Sequence, residues 1–482
     1  MKKAILILFL ITLLGVGGWF GKDYYLPYIF PEVNESTLRI VLNTPATDLS
    51  PYGLNLNNST RIANVFEGLV AFDRNLKVIP ALAVTWGNLD DTTWEFRLRK
   101  GVKFHDGTDF SAQDVIDSFE AAKNSGNSQI LPELETIKEI RISAPDKVEV
   151  LTTAPDPLLL SKLTKLFIHK AGKSGTGPYQ FDEWVQGDHL SLTAFEGYWG
   201  RKPVYQKVTY DVIANRSERV TEFDEDKIDI LVGITEDQAL KLPENQVKTS
   251  YGLEVNFLMF KLDDETFKDK EMRENIRTLI DPERLEAIGN HFVRSSNQFI
   301  APGVYGYNQS IGSYEYSEDN EVRDLFGNRL QPVTLDYLES YRTLSEYLSD
   351  QLRKAGFRVT AVASEPDELL EKIRNNESQL YVIGWRAADG DAEGFFDAFI
   401  HSGGAFNKGR YINDELDKLI EASRREMEPQ KRLSLLQEIS TKSMEDLIGI
   451  PLFETSRLFA VKDGISWEPR LDGQVLAVEV SK

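Results

Sequence analysis

The stretch VTLDYLESYRTLSEYLSDQLRKAGFRVTAV, residues 333–362, constrains the fold most. A strand-like run opens it. A helix follows, with Leu344, Tyr347, Leu348 and Leu352 at helical spacing, then a stop at Gly356 and a second strand. A further helix over EPDELLEKIRNN and a third strand, LYVIGW, complete a βαβαβ pattern. Such alternation builds a parallel or mixed sheet with helices on its faces. The chain has 482 residues, too many for one ordinary core, so two or more lobes are expected.

The rest of the chain adds a β-rich part and a helical end. LRIVLNT reads as a first strand, followed by a loop, ATDLSPYGLNLNN, and a helical pattern from Thr60 to Gly68. VTWGNLDDTTWEFRL carries a hairpin signal, with Trp94, Phe96 and Leu98 alternating after a polar turn. FSAQDVIDSFEAAKN starts a helix at Ser111, with Asp114 three residues on as in a capping box. DPLLLSKLTKLF reads as another buried helix, and residues 414–453 as two amphipathic helices and a buried strand.

Several function classes drop out on composition and spacing. The net charge of −21 makes phosphate backbones and anionic lipid surfaces poor partners, so no nucleic acid is expected. There is no cysteine, hence no disulfide, thiolate metal site or cysteine nucleophile. His169, His189, His291 and His401 are scattered, with no metal-binding grouping, and no cofactor is expected. Gly172-Lys173-Ser174 invites a nucleotide reading, but Phe167 stands where a P-loop needs glycine. His105 and Asp106 have no nucleophile at readable spacing, so no catalytic residue is assigned and the chain is read as a non-enzyme.

The N-terminus sets the compartment. Lys2 and Lys3 precede an uncharged run over residues 4–20, near the lower length for a membrane span and long for a signal-peptide core. An uncleaved anchor with its N-terminus inside is one reading and a cleaved signal peptide the other. Both place the body outside the cytoplasm.

The stretch GWRAADGDAEGFFDAFI, residues 384–400, carries Asp389, Asp391 and Glu393 on alternate positions. Read as a calcium loop from Asp389, its twelfth position is Ile400, which supplies no bidentate carboxylate. It reads better as an acidic loop at the carboxyl end of a strand, where α/β folds place ligand contacts.

The segments RIANVFEGLVAFD, LRKGVKFHDGTDFSAQDVIDSFE, GTGPYQF, IRTLIDPERLEAI, QLRKAGFRV, IGWRAADGDAEGFF and INDELDKLIEASRREMEPQKRLSLLQEI occur in that order. Together they resemble the peptide/nickel-type (family 5) extracytoplasmic solute-binding proteins of ABC importers, from about residue 36 to the end. The resemblance implies an α/β fold, a two-lobed periplasmic-binding-protein-like clamshell of class II type with an extra β-rich subdomain. With the anchor or signal segment and spacer read at 1–35, it implies lobe I from 36–66, 175–250 and 458–482, the subdomain at 67–174 and lobe II at 251–457. It also implies a monomer that holds a peptide or other small solute in the interlobe cleft and delivers it to membrane permeases. A membrane-anchored sensor or scaffold, and an oligosaccharide receptor, are the alternatives.

Site residues follow from the same resemblance. Peptide-binding relatives often place an Asp three residues after the Gly-Trp pair, where it meets the peptide amine. Here that position is Ala388. Either Asp389 or Asp391 replaces it, or the ligand lacks a free amine. Trp385 is a ligand platform or core; Arg386 faces ligand or solvent. Asn407 falls where relatives place a cleft-side Asn. Asn55 and Asn57 follow the first strand, and Tyr251 and Asn256 lie near the presumed crossing between lobes.

Overall fold

The computed structural model describes residues 36–289, 292–317, 330–407 and 410–482. One mixed sheet runs through both lobes. Its strand order is Phe357–Ser364, Gln331–Leu338, Leu380–Arg386, Val247–Phe260, Gly449–Val461, Ile230–Val232, Thr37–Leu42, Lys207–Val212, His189–Ala194 and Tyr179–Val185. The short strand Val293–Ser295 pairs alongside Gly449–Val461. The βαβαβ unit lies at one end: Gln331–Leu338 runs parallel to Phe357–Ser364 and to Leu380–Arg386. Its first helix, Arg342–Lys354, buries Leu344, Leu348 and Leu352, as the spacing requires.

Two long antiparallel strands, Val247–Phe260 and Gly449–Val461, carry the chain between the lobes. Their register shifts between Tyr251 and Val255. Such an irregularity bends paired strands and increases their twist. On one side lie Ile230–Val232 and the first strand; on the other lies Leu380–Arg386. Each lobe buries apolar residues on both sheet faces. Phe257, Ile383 and Phe395 pack on one face of the second lobe, and Leu258, Val382 and Leu348 on the other. Ile40, Tyr179 and Tyr210 fill one face of the first lobe, and Val41, Phe223 and Leu458 the other.

The extra subdomain has its own core, built on a four-stranded antiparallel sheet and the helix Ala112–Lys123. The Asp114 carboxylate accepts from both the amide and the hydroxyl of Ser111 at 2.7 Å, fixing the start of that helix. The motif around His105 is a staple. The Gly175 amide donates to His105 Nδ1, which leaves Nε2–H to donate to the Gly177 carbonyl at 3.1 Å. Gly175 sits so close to the Val65 carbonyl that a Cβ would lie 2.0 Å from that oxygen, so no larger residue fits.

Two local expectations change. The early helix is Leu56–Ile62 rather than a run to Gly68. Asn55 caps its start, and after Ile62 the chain turns so that Asn64 and Glu67 can reach other elements. The expected anchor at residues 1–35 lies outside the described residues. Among the described residues no helix is long and apolar enough to cross a membrane.

Candidate functional site

A pocket of about 520 Å³ opens where the lobes join. Leu42 and Asn43 end the first strand, and residues 232–237 follow the strand parallel to it. Asn57 and Thr60 come from the helix that Asn55 caps. Thr455, Ser456 and Arg457 come from a crossing strand, and Val293 from the second lobe. Parallel strands collect ligand contacts at their carboxyl ends because the connecting loops diverge there and leave a crevice. The lining carries both signs, with Glu236 and Asp237 on one wall and Arg457 on another. It therefore suits a small solute with separated polar ends.

The residues expected from sequence divide. Asn57 lines this pocket. Asn55 stands beside it, but its side chain accepts from the Asn58 amide as the helix cap, a role worth about 1 kcal/mol. Tyr251 lies under the Arg294 guanidinium, 4.7 Å from the ring centre, and Arg294 pairs with the buried Glu454 at 2.5 Å. Asn256 is fully buried; its amide donates to Thr455 Oγ1 and its oxygen accepts from the Tyr341 hydroxyl. Trp385 belongs to an aromatic core, with Phe399 at 5.5 Å and Phe395 at 6.5 Å between ring centres. Arg386 neither points to open solvent nor lines the pocket. Its guanidinium donates to the Asp472 carbonyl at 2.5 Å.

Asn407 is buried, and it closes its own loop. Its amide donates to the carbonyls of Ile400, His401 and Tyr411, and its oxygen accepts from the Tyr411 amide. That side chain has nothing left for a ligand.

The acidic loop 389–393 is engaged by cations of the chain itself. Asp391 is 8 % exposed and takes two hydrogen bonds from Arg432, at 2.5 and 3.0 Å. Arg432 also donates to Glu393 at 2.8 Å. Burial pushes the Glu393 carboxyl up, with Arg432 opposing. Asp391 is therefore a structural acid and not a residue of an open rim. Asp389 reaches into the extra subdomain, where Lys165 pairs with it and with Glu133. The Ser161 hydroxyl donates to its backbone carbonyl at 3.2 Å. Neither acid is a free amine anchor.

Sequence reasoning passed over Thr455, Ser456, Arg457, Glu236 and Asp237. The first three lie within a buried strand and give no local signal. The acids follow Thr235, which caps a single helical turn through Gln238. That turn directly after a strand is the one feature that points to a cleft position.

Comparison with known proteins agrees with this geometry. Residues 77–407 match the family model described as bacterial extracellular solute-binding proteins, family 5 Middle. The dipeptide-binding protein of Escherichia coli (strain K12) is 25% identical over 425 residues, covering 75% of this chain and 78% of that protein. The glutathione-binding protein GsiB of Salmonella paratyphi A is 24% identical over 462 residues, covering 88% and 90%. The structure of HbpA2 from Haemophilus parasuis superposes with a TM-score of 0.84 at 18% identity, over 92% of this chain and 99% of that one. With two thirds of its length matched by the family model and a two-lobed sheet around a polar crevice, the chain belongs to the family 5 bacterial extracellular solute-binding proteins of ABC transporters.

Proposed function

We propose that this chain captures a peptide or a similar small solute in the crevice between its lobes and hands it to ABC permease subunits at the outer face of a membrane. One observation carries the reading: the pocket sits at the carboxyl ends of parallel strands and is lined from both lobes. A solute held there favours the closed arrangement of two lobes joined by crossing strands, because it gains contacts with both walls only when they meet. The names of the relatives, a dipeptide-binding and a glutathione-binding protein, support a peptide-like solute. The uncharged run at residues 4–20 is proposed to hold the body at the membrane. No chemistry on the solute is required. The test is mass spectrometry of small molecules released when the purified body is denatured, with small-angle scattering of the emptied and refilled protein. A released peptide-like solute and a more compact filled particle are expected. Chemical turnover of that solute by the pure protein overturns the reading.

A further inference from the structure

One arginine of the crevice has no acid to hold. Arg457 comes from the crossing strand Gly449–Val461 and lines the pocket of about 520 Å³. Among the described residues its guanidinium forms no ion pair and one long hydrogen bond, from Nη1 to the Asp472 carbonyl at 3.4 Å. Arg386 already donates to that carbonyl at 2.5 Å. Four acids of the same stretch of chain serve other cations. Glu454 holds Arg294 at 2.5 Å, Glu468 holds Lys248 at 3.0 Å, and Asp472 and Glu479 hold Arg470 at 2.8 and 2.7 Å. The chain has 76 acidic residues against 55 Lys and Arg, so a pocket arginine left without a carboxylate stands out.

Gly473 sets where this guanidinium stands. Its φ of +77° lies in the left-handed region, and a Cβ there would sit 2.0 Å from Arg457 Nη1. The guanidinium therefore lies against bare backbone on the pocket wall, for Gly473 lines the pocket too. A guanidinium carries five N–H donors in a planar fork that matches a carboxylate, and most of that capacity is unspent here. The same lining offers apolar surface from Leu56, Val232, Ile234 and Val293, and two acids, Glu236 and Asp237. One cation favours one carboxylate on the solute. Two acids in the same pocket oppose a second one by like-charge repulsion.

We infer that Arg457 binds a carboxylate of the solute, and that the pocket selects monocarboxylates whose far end is neutral or cationic. A carboxylate there accepts two parallel N–H bonds and gives Arg457 the acid that the chain does not. Gly473 acts as a positioning residue, because it leaves the space in which the guanidinium lies. Neutral sugars offer the arginine no charge, and di- or tricarboxylates meet Glu236 and Asp237. This rests on the proposed solute-binding function.

The test is thermal-shift and calorimetric titration of the purified full-length protein, emptied of solute. The probes are alanyl-alanine, trialanine and tetra-alanine, each as free acid and as C-terminal amide, with maltotriose and citrate. We expect a free-acid peptide to bind and its amide to bind about tenfold more weakly or worse, the loss of a hydrogen bond to a charged group. In Arg457→Met the acid should fall to the level of the amide, so that the gap between them closes. Arg457→Lys should keep part of the gap, since it keeps the charge and loses the fork. Each variant's unliganded melting temperature separates binding from folding. If Arg457→Met fails to fold, Arg457→Lys decides, by an acid bound more weakly with the amide unchanged. Equal binding of acid and amide by the wild type overturns the carboxylate site and keeps the solute-binding function. So does a gap that persists undiminished in the variants, or a preference for maltotriose or citrate. If no probe binds, both inferences fall.

Discussion

Two acidic regions of the second lobe differ in how their charge is met. In the loop 389–393, Asp391 and Glu393 share Arg432, and Asp389 shares Lys165 with Glu133. On the strand Val247–Phe260, Glu254 packs over Gly384 beside Asn256 and Tyr341, with Arg386 opposite it in the register. The first region draws the eye in the sequence and is complete in the structure. The second is one glutamate in an apolar strand, with burial raising and Arg386 lowering the pKa of its carboxyl. A carboxylate already holding a protein cation is a fold element.

The largest effect should come from breaking the completed region. Arg432→Met leaves Asp391 buried without a cation and Glu393 with only the more distant Arg424, at 3.8 Å. Removing one partner of such a group costs about 3–5 kcal/mol. Urea denaturation should show a lower midpoint, while affinity measured on the remaining folded protein stays unchanged. An affinity loss at unchanged stability would return the acidic loop to the binding site.

Glu67 sharpens the comparison. It is a completed acid whose partners are neutral. It accepts from Thr176 Oγ1 at 2.8 Å, the Tyr198 hydroxyl at 3.0 Å and Trp199 Nε1 at 2.9 Å. Even so, burial pushes its carboxyl up to about 7. Three neutral donors do not replace a cation. The folded state thus holds this proton more tightly than the unfolded chain. Its contribution is present below about pH 4.5 and is lost as pH rises through about 7. The shift corresponds to about 3 kcal/mol. Burial pushes His105 and His169 down, and these act in the opposite sense, with stability lost as pH falls. The quantity to measure is therefore the difference between wild type and Glu67→Gln from pH 4.5 to 8. Glu67→Gln should gain relative stability as pH rises; a flat difference would show that the three donors hold Glu67 ionised throughout.

Period and punctuation made most of the fold legible. Leu344, Leu348 and Leu352 recur at helical spacing, Trp94, Phe96 and Leu98 alternate, and Gly356 stops a helix where the structure stops it. These are local signals. The site was less legible because its chemistry is settled by partners far along the chain. Lys165 lies 224 residues from Asp389, and Arg432 41 residues from Asp391. No spacing rule reveals that those acids are taken. Asn407 follows the same logic at short range. Its amide reads as a ligand group until four backbone partners are seen around it. Gly384 was legible as half of a Gly-Trp pair. The close approach of Asn256, Glu254 and Tyr341 to it depends on three strands brought together by the sheet.

The smallest effect is expected at Asp389, and it tests the comparison most directly. Its side chain is 44 % exposed, so solvent screens its pair with Lys165. Exposed pairs contribute about 0–1 kcal/mol. Asp389→Asn should lower stability by no more than that and leave amine-bearing solutes bound nearly as before. It should, however, loosen the junction between the acidic loop and the extra subdomain, because the remaining Ser161 contact is a single neutral hydrogen bond. Hydrogen exchange over residues 159–165 and 387–391 would register this as faster exchange in both segments together. Lys165→Met should reproduce the pattern from the other side. If Asp389→Asn instead weakens amine binding tenfold or more, about 1.4 kcal/mol or beyond, with exchange unchanged, the loop is the amine anchor.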